Sequence, residues 1–507
     1  MEANVVKQTI EVEKVIGQAS LQALASAETA VPGAGREVIE VLMEEASFSI
    51  DAAEAQTDRV VVDGTVYCQA VYSQGESAAA RAVAAQTGVS EVVDLPGVTA
   101  RSIIRVQGVV ESVEAEYENG RMRFTCAITI QVQALELETV DLISQLSGVD
   151  DAQVQFAELC SSKLAAESEA QAQVRQEVAL PPALDARVAL MDWGQARLGQ
   201  VSPDLGGVKV TGDVQAEVLI GTGVSARPVA LVKVVMPFEQ LVELPEWLTA
   251  NVAADAQVKH LTTSVSPGSD EEEGAVLTLE AQVAVTVRAD AQDCATALMD
   301  AYATGDTQII CHRQPLALAT GSQAIDVQEA FRGTLLLPDG APGAGTVLGV
   351  RVRPVISQWS AAGGATQVEG ALDVKALYLT GGSEQIRAAR GELPFCVTCQ
   401  GEWPQEAWVR VAAAGVEAAA LMSDRLEVRC ALVFTGCYRL LSRVDAAQSI
   451  QQEPAPARPA GLVIHWPAPG ESAWSVGKRY QLPLSRITAV NGGKEDLEVG
   501  QPIIVML

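Results

Sequence analysis

A mainly β fold is predicted for this chain: three repeated antiparallel sandwich- or barrel-like domains and a small C-terminal β-α-α-β module. Three observations predict it. A strand-like stretch built around one glycine occurs three times. Prolines flank each copy at matched distances. After residue 460 the apolar spacing changes from alternating to helical.

The repeated stretch reads Val62-Asp63-Gly64-Thr65-Val66 in its first copy, Val210-Thr211-Gly212-Asp213-Val214 in its second and Val368-Glu369-Gly370-Ala371-Leu372 in its third. Apolar and polar residues alternate through each, the pattern of a half-buried strand. A glycine in mid-strand marks a bulge or a close backbone approach. Pro32, Pro181 and Pro338 precede the glycines by 32, 31 and 32 residues, and Pro96, Pro245 and Pro404 follow them by 32, 33 and 34. The glycines lie 148 and 158 residues apart, a period of whole domains rather than of solenoid units. The boundaries that follow are 1–148, 149–304 and 305–445 for the repeats, 446–460 for a linker and 461–507 for the last module.

In chain order, each repeat opens with a strand such as Val5 to Val15, then a Pro/Gly turn, here Val31 to Gly35. A second strand, Val38 to Met43, leads to the glycine strand. Two long strands follow the second proline. In repeat 1 these are Arg101–Tyr117 and Met122–Leu137, joined through Asn119-Gly120, a strong hairpin signal. The corresponding tips are Ser266–Gly274 in repeat 2 and Met422–Arg425 in repeat 3. Asp270–Glu273 at the second tip is a charge run of the kind that faces water. Short amphipathic pieces, Thr139–Leu146 and Ala291–Tyr302, close the first two repeats. Residues 446–460 are rich in Pro, Ala and Gln. Such a linker is semi-rigid at about 3.1 Å per residue and would hold the next module some tens of ångströms away. Val66, Val214 and Leu372, two residues past each glycine, belong on the buried face.

The final module starts with a strand, Leu462 to Trp466. Ser472 is a helix N-cap, and Ala473, Val476, Gly477 and Tyr480 form an i, i+3, i+4, i+7 stripe. Trp474 lies about 100° off Ala473 and belongs at the rim of that stripe. Leu484, Ile487 and Val490 mark a second short helix, and Pro502–Met506 a last strand.

Composition narrows the function classes. Hydrophobic residues make up 48% of 507, ample for several cores, while aromatics are only 4%, so the cores rest on small aliphatic side chains. The net charge of −29 disfavours nucleic acid and anionic lipid as partners. The sequence shows no apolar leader and no membrane span. Nine cysteines, an odd number set mostly in strands, suit a reducing compartment and a cytoplasmic location.

No catalytic constellation stands out. His260, His312 and His465 accompany no nucleophile motif. The glycines at 343–349 run into a strand where a dinucleotide site needs a helix. Cys396 and Cys399 lack a second ligand pair and would diverge across a strand, as would Cys311 and His312. The reading is a non-enzyme with no cofactor and no metal site.

The run Gly470-Glu471-Ser472-Ala473-Trp474 to Tyr480, continuing through Val490-Asn491 to Val505, resembles a LysM domain. It departs from that pattern at Ala473, where a larger aliphatic is usual, at Gly477, where alanine is usual, and in a Gly-Asp-Thr start that is Gly470-Glu471-Ser472 here. The resemblance implies binding of N-acetylglucosamine polymers such as peptidoglycan, or of a protein, at Gly470, Glu471, Ser472, Trp474, Asn491 and Gly492. The three repeats resemble SPOCS domains. The order of three repeats and one LysM module is similar to that of the SipL family of spore-coat morphogenetic proteins. That resemblance implies a mother-cell protein at the forespore surface that binds the coat-basement ATPase SpoIVA through its LysM domain. On this reading the repeats form an elongated platform and the LysM module a docking head.

Overall fold

The computed structural model describes residues 4–32, 39–74, 79–268, 274–338, 340–381, 385–455, 461–493 and 497–506. The first repeat contains β1 (Asn4–Ala30), β2 (Ile39–Gln56), β3 (Arg59–Gln74), β4 (Ala80–Asp94), β5 (Ile103–Glu118) and β6 (Arg121–Ser147). The second contains β7 (Ala152–Ala179), β8 (Ala186–Asp204), β9 (Gly207–Thr222), β10 (Val229–Glu243), β11 (Val252–Ser266) and β12 (Val276–Ala303). The third contains β13 (Thr307–Leu336), β14 (Ala344–Ala362), β15 (Ala365–Thr380), β16 (Ile386–Gln400), β17 (Trp408–Met422) and β18 (Arg425–Pro454). Each repeat forms two three-stranded antiparallel sheets, ordered β1-β6-β5 and β2-β3-β4 in the first and matched strand for strand in the others. The second strand of each repeat lies against the fifth and the first against the fourth, so each pair of sheets closes into a barrel-like sandwich. Separate apolar clusters fill the three sandwiches.

The glycine strands β3, β9 and β15 are the central strands of their sheets, and the glycine is the sixth residue of each. An added Cβ would meet a phenyl ring and a carbonyl of the preceding strand in all three: Phe48 and Ser49 at Gly64, Phe238 and Arg197 at Gly212, Phe395 and Val355 at Gly370. Phe238 and Phe395 stand directly opposite their glycines, whereas Phe48 reaches Gly64 from the other neighbouring strand. Val66, Val214 and Leu372 are fully buried. The hairpin tips at Asn119-Gly120 and Ser423-Asp424 are as expected, with both Asn119 and Gly120 at positive φ. The 269–273 stretch of the second tip and residues 33–38 lie outside the described residues.

Three expectations are corrected. The amphipathic pieces at 139–146 and 291–302 continue β6 and β12, because the first and last strands of a repeat pair along their full length. For the same reason residues 446–454 are not linker. They extend β18 against β13, from Gln314↔Ala446 to Thr307↔Pro454, with Ala446 and Ala447 completely buried. Finally, the repeats do not form an elongated platform. Every pair of repeats is in contact, and the three close a ring around a pseudo-threefold axis.

That axis is built from a local irregularity present in each repeat. Leu42, Leu190 and Leu348 are the extra residues of three equivalent β-bulges. A bulge turns its side chain off the strand's own face, and here all three leucines enter one shared cluster with Val71, Leu219 and Leu377. A second axial cluster joins Ile10, Leu142, Leu159, Ala295, Leu318 and Ala446, again from all three repeats.

Polar contacts differ from seam to seam. Between repeats 1 and 3, Glu45 binds Arg353 and, at 3.1 Å, Arg351; Glu44 binds Arg390 at 2.6 Å and Lys375 at 3.2 Å; Glu40 binds Arg387 at 2.6 Å. Arg351 also lies over the Trp193 ring of repeat 2, 5.4 Å from its centroid. Glu45, Trp193 and Arg351 occupy equivalent positions, each one strand-turn before its repeated glycine. Between repeats 1 and 2, Gln69 and Asp192 exchange two hydrogen bonds of 3.0 Å, and Lys259 Nζ donates to the Ile50 carbonyl at 2.8 Å.

A disulfide joins Cys160 on β7 to Cys294 on β12, which are directly opposed. This departs from the reading of nine cysteines suited to a reducing compartment. Opposed residues of an antiparallel pair bring their Cβ atoms within bonding reach, a relation that sequence spacing hides. Cys396 and Cys399 fall on opposite faces of β16, one exposed and one buried. No helix among the described residues is long and apolar enough to cross a membrane.

Candidate partner-binding module

The C-terminal module consists of β19 (Leu462–His465), α1 (Ala473–Tyr480), α2 (Leu484–Val490) and β20 (Ile503–Met506). β19 and β20 pair antiparallel, Leu462↔Met506 to His465↔Ile503. Both helices pack on one face of this ribbon, around Ala473, Val476, Leu482, Ile487, Ile503 and Val505. Alternation sends Leu462, Ile464, Ile504 and Met506 to the other face, where they remain exposed beside Trp466, itself 63% exposed.

Of the expected site residues, Gly470, Glu471 and Ser472 form the entry to α1. Gly470 turns the chain at φ +77°. Ser472 is the N-cap of a capping box: its hydroxyl accepts from the Ser475 N–H, and Ser475 Oγ accepts from the Ser472 N–H at 2.9 Å. Glu471 is engaged on every side. It accepts from Ala468 N at 3.0 Å, meets His465 Nε2 at 2.9 Å and pairs with Arg479 at 3.2 Å. The Ala468 N–H, followed by His465 and Arg479, holds its carboxyl below the usual range.

Asn491 caps α2 and works as a pseudo-strand. Its amide donates to Ile487 and Ile504 carbonyls and accepts from Ile504 N at 2.8 Å, tying the helix end to β20. Gly492 follows at φ +77°. Among the described residues no hydrogen bond joins the 470–472 group to the 491–492 group, and the polar side chains of both are used inside the module.

Trp474 points away from these loops, toward repeat 2. Its Nε1 donates to Asp300 Oδ2 at 2.9 Å, and its ring packs edge-on against Tyr302 with centroids 4.9 Å apart. Lys478 Nζ, one turn further on α1, donates to Asp300 Oδ1 at 2.5 Å, and Arg313 of repeat 3 pairs with the same oxygen at 2.6 Å. Tyr302 Oη donates to the Leu482 carbonyl at 3.0 Å. Burial pushes the Asp300 carboxyl up, but Arg313, Lys478 and the Trp474 indole outweigh it and hold it below the usual range. Tyr302 is pushed up to about 12 by burial and by the Asp300 charge. The module therefore sits against the ring rather than tens of ångströms from it.

Sequence reasoning placed Trp474 at the rim of the stripe, which fits its half-buried state, but missed Asp300, Tyr302 and Arg313 altogether. Asp300 lies in Leu298-Met299-Asp300-Ala301-Tyr302, where an acidic residue in an apolar run was the available signal. The exposed ribbon face was missed because Leu462, Val463 and Ile464 run apolar on both faces, which hides the alternation.

In comparison with known proteins, residues 37–118 match the family model described as SipL, SPOCS domain. The matched span covers β2 to β5, which includes the whole β2-β3-β4 sheet and the Gly64 strand. No curated protein and no solved structure matched the chain. The strand order and glycine geometry of that span recur in repeats 2 and 3. Residues 37–118 belong to the SipL SPOCS domain family.

Proposed function

We propose that the chain is a non-enzymatic scaffold of spore-coat assembly, made in the mother cell and placed at the forespore surface, whose C-terminal module docks onto a SpoIVA-like coat ATPase. SPOCS membership supports a spore coat protein, from a family that is generally non-catalytic. The observation that carries the docking role is the exposed apolar face of the β19–β20 ribbon, with Leu462, Ile464 and Trp466 each at least 60% exposed. Contiguous apolar surface of this kind on a small module is the mark of an interaction site. It is rimmed by polar loops and carries an aromatic that suits a protein partner.

The rival reading is a LysM module that binds peptidoglycan through Gly470–Ser472 and Asn491–Gly492. The internal commitment of Glu471, Ser472 and Asn491 weighs against it, since a sugar would have to compete for donors and acceptors already satisfied. One experiment separates the two: capture of the coat ATPase from sporulating cells, run beside binding to purified peptidoglycan, with the full chain and with Ile464→Asp. The docking reading expects ATPase capture that Ile464→Asp abolishes. Peptidoglycan binding that survives Ile464→Asp, with no ATPase captured, would establish the rival.

A further inference from the structure

The seat of α1 on repeat 2 explains why Gly477 stands where the LysM pattern carries alanine. A Cβ at that position would lie 2.5 Å from Tyr302 Oη and 3.0 Å from the Leu482 carbonyl oxygen. The missing methyl is thus a notch that admits the Tyr302 hydroxyl, and the hydroxyl uses it to reach Leu482 O. Beside the notch stands Asp300, a carboxylate with side-chain exposure of only 9%. Two donors from α1, Trp474 and Lys478, and one from repeat 3, Arg313, converge on it. A buried carboxylate with that many charged or N–H donors is costly to separate from them, because each group left behind would be desolvated and unpaired.

We propose that this seat is an intramolecular latch: it holds the C-terminal module against the ring and withholds the Trp474 face of α1 from outside partners. The proposal rests on the reading of the module as a docking head and adds to it a second face that the chain itself covers. In the latched state the exposed ribbon face is available while α1 is occupied by the chain's own Asp300 and Tyr302. A cleft of about 680 Å³, lined in part by Gln155, Met299 and Asp445, opens along the seam and gives solvent access to the cluster from one side. A partner that takes over α1 has to replace what Asp300 offers, an acceptor for the indole N–H and a counter-charge for the Lys478 ammonium. That chemistry describes a carboxylate-bearing peptide segment.

Hydroxyl-radical footprinting of the full chain, read by mass spectrometry at individual side chains, tests the latch without any partner. In the wild type, Trp474 should label far more slowly than the exposed Trp466. Gly477→Ala, which fills the notch, and Asp300→Asn, which removes the counter-charge from outside the module, should each raise labelling at Trp474 by roughly threefold and leave Trp466 unchanged. Should Gly477→Ala unfold the module, labelling would rise at Ile487 and Val505 as well, and Asp300→Asn alone decides. Trp474 labelled in the wild type as fast as Trp466, or unchanged in Asp300→Asn, overturns the latch. Either result leaves the docking reading standing, because the ribbon face does not touch Asp300; loss of ATPase capture in Ile464→Asp bears on docking alone.

Discussion

Repeat 1 meets its two neighbours by different means. Toward repeat 2 it uses the Gln69–Asp192 amide–carboxylate pair and an ion pair, Glu11 with Lys163, and Lys259 reaches a backbone carbonyl. Toward repeat 3 it uses four glutamates, Glu13, Glu40, Glu44 and Glu45, against five arginines and a lysine. The chain passes directly from repeat 1 to repeat 2 through residues 148–151, whereas the third repeat reaches the first only by folding back. A short tether gives a seam a high effective concentration, so modest contacts suffice. The untethered seam has to be specified by its side chains, and buried opposite charges fix register strongly because any misplacement strands one of them.

The largest effect is expected at the buried centre of the untethered seam. Arg353→Ala removes one of the two guanidiniums on Glu45 and should destabilise the ring by about 3–5 kcal/mol, measured by urea unfolding of the full chain. An effect under about 1 kcal/mol would mean that charge does not specify this seam.

Acid should open the same seam. Burial pushes the Glu45 carboxyl up, but Arg351 and Arg353 hold it at about 2, against an ordinary 4.5. A depressed carboxylate stabilises the fold above its unfolded value, and that contribution is lost as pH falls from 4.5 toward 2. The loss is on the order of 3 kcal/mol. Hydrogen exchange through this range should show the β2–β15 contact loosening before the β3–β8 contact; simultaneous loss would sink the comparison.

The tethered seam should be more forgiving. Gln69→Leu removes both amide hydrogen bonds to Asp192, whose carboxyl burial already pushes up. A cost of roughly 1–2 kcal/mol is expected by thermal denaturation, since the Asp192 side chain keeps its bond from Thr263. The smallest effect belongs to the rim of the untethered seam. Arg387→Ala breaks a partly exposed pair with Glu40 and should change stability by less than about 1 kcal/mol. A rim substitution as costly as Arg353→Ala would show that depth of burial is not what separates the two seams.

Much of this was legible in the sequence, for local reasons. The mid-strand glycines and the Asn119-Gly120 turn follow from backbone sterics, and the alternation around Gly64, Gly212 and Gly370 from the pleat. The capping role of Ser472 and the helical stripe after it were equally readable. What escaped depends on contacts remote in sequence. Residues 446–454 look like linker because Gln448 to Gln452 alternate weakly, and only the length of β13 shows that they have a strand to pair with. The leucines at 42, 190 and 348 keep the same spacing before their glycines, but nothing local marks them as bulged. Asp300 and Trp474 are each ordinary until the chain brings them to 2.9 Å.

The three residues at the equivalent position, Glu45, Trp193 and Arg351, also bear on which repeats can close a ring together. A ring assembled from three copies of the first repeat would crowd three carboxylates around one point, and three copies of the third would crowd three guanidiniums. Like charges at such distances with little water between them repel by several kcal/mol. Arg351 instead bridges the Glu45 carboxylate and the Trp193 ring, so charge at this point favours a ring closed by one repeat of each kind.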